Sequence, residues 1–537
     1  LRRWAAAALA LLGAASPGLP QEDEPRSRAD LRGEPRIFTL NEDREAAQRA
    51  QRLDGHLTAG RYERAFDELE RLLADHGGDV LPLTFSVEPA GQRPSLQPRH
   101  LGAAAWAAAQ LERLPAAGLA AYEQRFGAAA QTALEQALAD GDAGALAAML
   151  SRWPAARASL RAALALGDLE LSRGHRGAAS TWWERAERLG ARLGLEDQAA
   201  ALARRRAALS GLPAGVRRSA GMRLSGEGES AGELPSGSLE RWRVELPPGP
   251  FNGLGARTDH FNIVPILHGE RVFVNTTLEL LCCDAYSGQQ LWSSGEPAGW
   301  ERLGRAARSD FFRGLDYEGL LAAPAVAEGV AVAALQIPFS IHDNEDIEGL
   351  TIMRRLPQRR LFAFDSRSGR RLWSHECPPD WDGGPLPDFE QEMAVAGPPS
   401  ISEGLVLVPC VRMEGRVKLH VAAYDLWSGR LVWQTQVVTG QRELNMFNRH
   451  EREYSAPPVR IEGERVLVAT QLGTLAALDL FSGRILWQAL YDQIPLPGTH
   501  GYLTVERRRV WRNAPPVVAD GLVLCTPIDS EDLIGVE

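Results

Sequence analysis

Residues able to do chemistry are thinly spread in this sequence. The densest acidic run is Asp343-Asn344-Glu345-Asp346 with Glu348. Calcium takes six to eight carboxylate and amide oxygens, but the run lacks the D-x-D-x-D-G spacing that wraps a loop round one ion. It reads as a solvated acidic loop. The eleven histidines contain no H-x-H or H-E-x-x-H arrangement, so no metal centre is legible, and His342, His450 and His500 stand singly in long loops. Cys282, Cys283, Cys377, Cys410 and Cys525 are odd in number and irregular in spacing, which makes neither a disulfide framework nor a zinc site. No nucleophile elbow, phosphate-binding loop or dinucleotide fingerprint occurs, and FNGLGARTDH at 251–260 is only a Gly-containing loop. RSDFFRGLDY at 308–317 gathers Arg and aromatic residues of the kinds enriched at interface hot spots. The same residues could equally plug that loop onto its own domain. No residue earns a catalytic, cofactor-binding or metal-binding assignment.

Composition narrows the class. With 69 acidic against 59 basic residues the net charge is −10, which argues against nucleic acid as the main partner. A chain of 537 residues allows two or three domains. Its start, LRRWAAAALALLGAASPG, places two Arg before a short apolar run that ends in small residues. That is the layout of a secretory signal peptide, expected over 1–20, and the run is too short to span a bilayer. A polar, Pro-rich stretch at 21–40 reads as a disordered leader. No Cys precedes Cys282, so this start offers no lipid-modified Cys, and no second apolar stretch of about 20 residues occurs. The expectation is an exported protein, periplasmic or extracellular or held at the periphery of a membrane, with no integral membrane segment beyond the signal peptide.

The elements that must position any site are repeats. CCDAYSGQQLW (282–292), AFDSRSGRRLW (363–373), AYDLWSGRLVW (423–433) and ALDLFSGRILW (477–487) share an Asp, a Ser-Gly three and four positions later, and a Trp eight positions after the Asp. Alternating apolar residues lead into the Asp as a strand, Ser-Gly turns the chain, and the residues up to Trp begin another strand. The Asp carboxylate is expected to be used up by its own turn. Upstream of these come five strand–turn–strand echoes, at 264–274, 323–333, 398–408, 457–468 and 515–525. Each full repeat therefore supplies four strands, which is one propeller blade. The units fall near 264–292, 323–373, 398–433, 457–487 and 515–537, four blades and part of a fifth, so the natural gene is expected to run on. Trp242, in RWRVEL, fits the last strand of a further blade.

The eleven-residue pattern resembles the tryptophan-docking motif of the pyrroloquinoline-quinone (PQQ)-like β-propellers, with Cys282 replacing the usual Ala. That family includes PQQ-dependent alcohol dehydrogenases and non-enzymatic BamB-like outer-membrane assembly factors. The resemblance implies PQQ and Ca²⁺ only if the chain is an enzyme of the dehydrogenase type. It also invites comparison of Cys282-Cys283 with the vicinal disulfide of those enzymes. Two reduced cysteines in a strand are the simpler reading, since adjacent strand side chains point to opposite faces.

Ahead of the propeller, 41–212 follows a helical pattern. Tyr62, Phe66, Leu69 and Leu73 share one face, and so do Ala178, Trp182, Ala186 and Leu189. Of Trp182 and Trp183, one is expected in the core and the other half-exposed. These helix pairs resemble tetratricopeptide repeats, which either form a peptide groove or only pack. A Gly-, Ser- and Pro-rich stretch at 213–238 reads as the linker to the propeller at 239–537. The whole resembles planctomycete-type exported proteins with a helical front and a PQQ-like propeller behind.

Loop lengths add direction. With the strands of a blade lettered A to D, the A–B and C–D turns are uniformly short. The long segments are D–A loops near 293–320, 374–394, 434–454 and 488–512 and the B–C loop 337–359. All elaboration therefore falls on one face, where repeat proteins place their binding surfaces. The first functional reading is a non-catalytic, BamB-like scaffold for a protein or peptide partner. A PQQ-dependent alcohol or sugar dehydrogenase and a carbohydrate- or ligand-binding propeller are the alternatives.

Overall fold

The computed structural model describes residues 38–83, 99–173, 176–210, 242–244, 262–300, 321–347, 350–375, 393–414, 416–440, 454–494 and 511–537. The expected signal peptide, all but the last residues of the leader and the whole linker lie outside these. Residues from Phe38 onward form one contact unit.

Among the described residues, eight helices make the front part: α1 (Arg44–Thr58), α2 (Tyr62–His76), α3 (Ala103–Glu112), α4 (Ala116–Asp140), α5 (Ala143–Arg152), α6 (Arg157–Ser172), α7 (Arg176–Arg192) and α8 (Glu196–Ser210). Their ends follow local chemistry. Asp43 caps α1 by accepting from the Glu45 N–H, and Asp142 caps α5 by accepting from Ala145. Gly141, at φ 63°, closes α4 in the left-handed region. The apolar stripe of α2 is buried at Phe66, Leu69 and Leu72, with Tyr62 and Leu73 flanking it half-buried. Phe66 meets Tyr122 of α4 edge-on at 5.3 Å. In α7 both tryptophans are buried, contrary to the expectation of one half-exposed. Trp182 joins the core of the helical part, whereas Trp183 packs with Ala163, Ala186 and Leu202. Gly167 makes room for the Trp183 indole, since a Cβ there would overlap the ring.

The helical segment is not helix throughout. Between α2 and α3 runs a hairpin, Val80–Leu83 with Arg99–Gly102. Its second strand pairs with Ile485–Leu490 of the propeller, placing Leu101 opposite Trp487. Phe38–Thr39, at the end of the expected leader, is likewise a strand and pairs with Leu431–Gly440. The front part thus completes the outer edges of two propeller sheets, covering strands that would otherwise present open edges.

Each of the four full sequence repeats becomes an antiparallel run of four strands in A-B-C-D order, and in the third sheet Ala394–Val395 also pairs with strand B. The first sheet holds Ile266–His268, Arg271–Asn275, Leu280–Asp284 and Gln290–Ser293; the second Ala325–Ala327, Val330–Ile347, Leu350–Asp365 and Arg371–Ser374. The third holds Ser400–Ser402, Leu405–Glu414, Arg416–Asp425 and Leu431–Gly440; the fourth Arg460–Glu462, Arg465–Ala469, Thr474–Asp479 and Ile485–Leu490. Three strands follow, Val517–Ala519, Leu522–Cys525 and Ile534–Val536. One expected loop is structured: within 337–359 strands B and C of the second sheet continue as a ladder out to Ile347 opposite Leu350.

The turns explain why the repeat needs its residues. In all four, one Asp oxygen accepts from two turn N–H groups and from the Ser hydroxyl, as Asp425 does from Trp427, Ser428 and the Ser428 Oγ. The Gly then takes positive φ, 69° at Gly429. The Trp of the preceding unit lies flat on that Gly: a Cβ on Gly429 would come within 2.6 Å of the Trp373 ring. The indole N–H donates to the same turn, Trp292 to Ser366, Trp373 to Leu426 and Trp433 to Leu480. Trp242 makes this contact with the first sheet, donating to Ala285 at 3.1 Å and lying on Gly288, although residues 242–244 form no strand. Apolar clusters fill each sheet-to-sheet interface, such as Val406, Val408, Tyr424 and Leu426 against Val330, Val332 and Ala363.

Candidate interaction surface

The loop-bearing face expected to bind lies mostly outside the described residues, including 308–317, His450, His500 and Cys377. The backbone of 343–346 is β-strand, Asp343 opposite Arg354 and Asp346 opposite Thr351, so it is not the compact loop that calcium sites use. Glu348 is outside the described residues. Cys282 and Cys283 are buried free thiols, and burial pushes Cys282 up to about 11, which leaves it an inert strand residue. A cavity of about 10 Å³ lined by Asn275, Thr277, Ala334, Arg359 and Gly397 has room for one water and no organic ligand.

The best-built surface in the described residues is the one on which the helical part sits. α7 crosses the fourth sheet on the side of its A–B and C–D turns. Arg185 reaches Glu464, in the A–B turn, with Nε at 2.9 Å and Nη2 at 2.7 Å, and gives Asp479 a further bond at 2.6 Å. Asp479 is the docking-motif Asp. Its Oδ1 serves its own turn while Oδ2 takes Arg185, so the expectation that these carboxylates are used up by their turns fails here. The Arg185 guanidinium lies over the rings of Trp182 and Phe481, at 4.9 and 5.5 Å, and those two rings meet at 4.9 Å. Burial pulls Arg185 down, but the charges of Asp479 and Glu464 more than offset it and hold it fully ionised. Burial likewise pushes Asp479 up, and the Arg185 charge with the Ser482 bonds leaves it below the ordinary carboxylate value. Arg484, from the same turn, donates to the Ser151 carbonyl.

Donors suited to a metal converge once among the described residues. Asp43, His76 and Asp79 bring their ligand atoms within 4.8 Å of one another. His76 Nδ1 lies 2.9 Å from Asp79 and 3.6 Å from Asp43, while Asp79 also accepts from Asn41. The trio ties the start of α1 and the end of α2 to the hairpin that augments the fourth sheet. Their separation in sequence forms no motif, so spacing could not reveal them.

A family model for the outer membrane protein assembly factor BamB matches residues 235–524, more than half of the chain. The chain belongs to the BamB family of PQQ-like β-propellers. No curated protein matches the sequence at a significant level. Among solved structures, BamB from Moraxella catarrhalis is similar at 14% identity and a TM-score of 0.26, over 48% of this chain and 67% of that one. Quinohemoprotein alcohol dehydrogenase from Comamonas testosteroni matches at 14% identity and a TM-score of 0.30, over 50% of this chain and 40% of that one. A europium-containing methanol dehydrogenase matches at 11% identity and a TM-score of 0.29, over 49% of this chain and 51% of that one. The chain thus spans between two-fifths and two-thirds of these structures' own lengths. Among the described residues no helix is long and apolar enough to cross a membrane.

Proposed function

We propose that this BamB-family chain is an exported, non-catalytic scaffold that binds a protein or peptide partner through the loop-bearing face of its propeller. Membership of a family named for outer-membrane protein assembly carries the reading. Two further observations support it. The four docking-motif Asp residues serve their own turns, and in the sequence the long segments are the D–A connections and one B–C connection, which belong to one face of a propeller. The signal-peptide layout of 1–20 fits export to the periplasm or cell exterior. On this reading the units are blades of one PQQ-like propeller, and the helical part, tetratricopeptide-like in its paired helices, braces the propeller's outer edge.

The test is a pull-down from an envelope extract with the full-length protein as bait, beside reconstitution with PQQ and Ca²⁺. A scaffold retains a defined partner and loses it when the loop 308–317 is replaced by a Gly-Ser linker. A quinone absorption band with dye-reducing activity would instead make the chain a dehydrogenase. Saturable binding of oligosaccharides with no retained protein would make it a carbohydrate-binding propeller.

A further inference from the structure

The surface that carries the helical part on the fourth sheet is written twice in the propeller. On the fourth sheet it consists of Glu464, just before strand B, Asp479, at the end of strand C, and Phe481, two residues on. In the first sheet Glu270, Asp284 and Tyr286 hold those three positions. The equivalence is structural. Asp284 pairs with Arg271 as Asp479 pairs with Arg465, and the Ala285 N–H donates to Glu270 as the Leu480 N–H donates to Glu464. The second and third sheets lack the acidic pair: Gly329 and Gly404 accept the corresponding bonds from Ser366 and Leu426.

The two copies differ in what covers them. On the fourth sheet α7 shields the carboxylates, leaving the Glu464 and Asp479 side chains 28% and 15% exposed. On the first sheet Glu270 is exposed, Tyr286 is 57% exposed, and Leu267 on the adjacent strand A is 67% exposed. A more than half-exposed aromatic ring and an exposed aliphatic side chain beside two carboxylates match the chemistry that the fourth sheet uses on α7.

We propose that the first sheet is a second helix-docking station, for a partner protein whose helix presents an arginine with an aromatic residue three positions before it. The arginine bridges Glu270 and the free oxygen of the Asp284 turn, and the aromatic ring packs on Tyr286. Both contacts copy those of Arg185 and Trp182. The occupant is another protein, not a second copy of this chain, because the chain's own Trp182 and Arg185 are held on the fourth sheet. The station lies on the side of the A–B and C–D turns, away from the loop-bearing face, so it stands or falls independently of the function proposed above.

The probe is a stapled, fluorescein-labelled peptide with the α7 sequence 176–192, titrated into the full-length protein at low salt and followed by anisotropy. A photo-crosslinking residue at the position of Ala179 maps where it lands. Saturable one-to-one binding, crosslinked to the first sheet and weakened about tenfold or more by Glu270→Arg or by Arg185→Glu in the peptide, is the expected result. Tyr286→Ala supplies a second, uncharged variant should Glu270→Arg fail to fold. Absence of saturable binding, indifference to Glu270→Arg and Tyr286→Ala, or crosslinks only to the fourth sheet would overturn the proposal.

Discussion

Arg185 and Asp479 lie 294 positions apart in sequence and meet at 2.6 Å. Through that contact a helix of the front part grips the turn on which the propeller's own tryptophan docking depends. Asp479 holds Phe481 and Ser482 in place with one oxygen and Arg185 with the other, so the fourth sheet's turn and the helical part are energetically one unit.

Removing the cation should therefore do more than loosen a surface bridge. Arg185→Met leaves Glu464 and Asp479 facing each other under α7. Breaking a largely buried pair from one side costs about 3 kcal/mol or more. Urea unfolding should show the helical part released before the propeller, and proteolysis should cut between them faster. A change below about 0.5 kcal/mol would mean that the bridge behaves like an exposed pair.

The same pair predicts how the interface responds to acid. Asp479 is held below its ordinary value of 3.8 in the folded protein, so it binds its proton less readily there than in the unfolded chain. Its contribution is complete above that ordinary value and is lost as pH falls through the depressed folded one. As pH falls below about 4, stability of the wild type should drop more steeply than that of Arg185→Met, read by Trp fluorescence in parallel urea series. Identical slopes would place the acid sensitivity in other carboxylates.

The tryptophan docking makes a prediction about a single methyl group. Gly429 has φ 69° and bears the Trp373 ring, so Gly429→Ala adds backbone strain and an overlap with the indole. Trp373→Ala should cost about 3–5 kcal/mol, and Gly429→Ala about 1–3 kcal/mol. Because both changes destroy one contact, the double variant should be less destabilised than the sum of the two. Strict additivity would show that ring and turn do not interact.

How much of this was legible follows from where each signal resides. Asp, Ser-Gly and Trp are local to one turn and recur in register, so strands, turns and indole stacking could be read from the chain alone. The stripe of Phe66 and Leu69 is local in the same way. The strands Phe38–Thr39 and Arg99–Gly102 were not legible, because they owe their conformation to pairing with partners at the far end of the sequence. Arg185 is one arginine among many in an Arg-rich helix, and only the approach of Glu464 distinguishes it. The burial of both Trp182 and Trp183 was not legible, because adjacent helix positions normally diverge, whereas α7 is wedged between two clusters and buries both sides. The ladder beyond Ile337 is not legible in the sequence, because its polar run DNEDIE carries no apolar alternation.

Asp529 is the one buried carboxylate whose loss should propagate furthest. It is 3% exposed and accepts from the Gly473 N–H at 2.9 Å, the Tyr491 hydroxyl at 2.8 Å and the Gln493 amide at 2.8 Å. Three donors from the fourth sheet and its exit thus converge on a residue that follows the strand Leu522–Cys525, fastening the last strands to the fourth sheet. Burial, with the Asp529 charge beside it, pushes the Tyr491 hydroxyl well above its ordinary range, so this phenol stays a donor throughout the stable pH range. Asp529→Leu leaves all three donors buried without an acceptor and should cost about 3 kcal/mol or more. Asp529→Asn keeps one acceptor oxygen but sets an amide N–H₂ against donors, and should fall between. Hydrogen exchange should report the loss first at the strands Val517–Ala519 and Leu522–Cys525, ahead of global unfolding. Uniform loss of protection across all the sheets would mean instead that the last strands do not open as a separate unit.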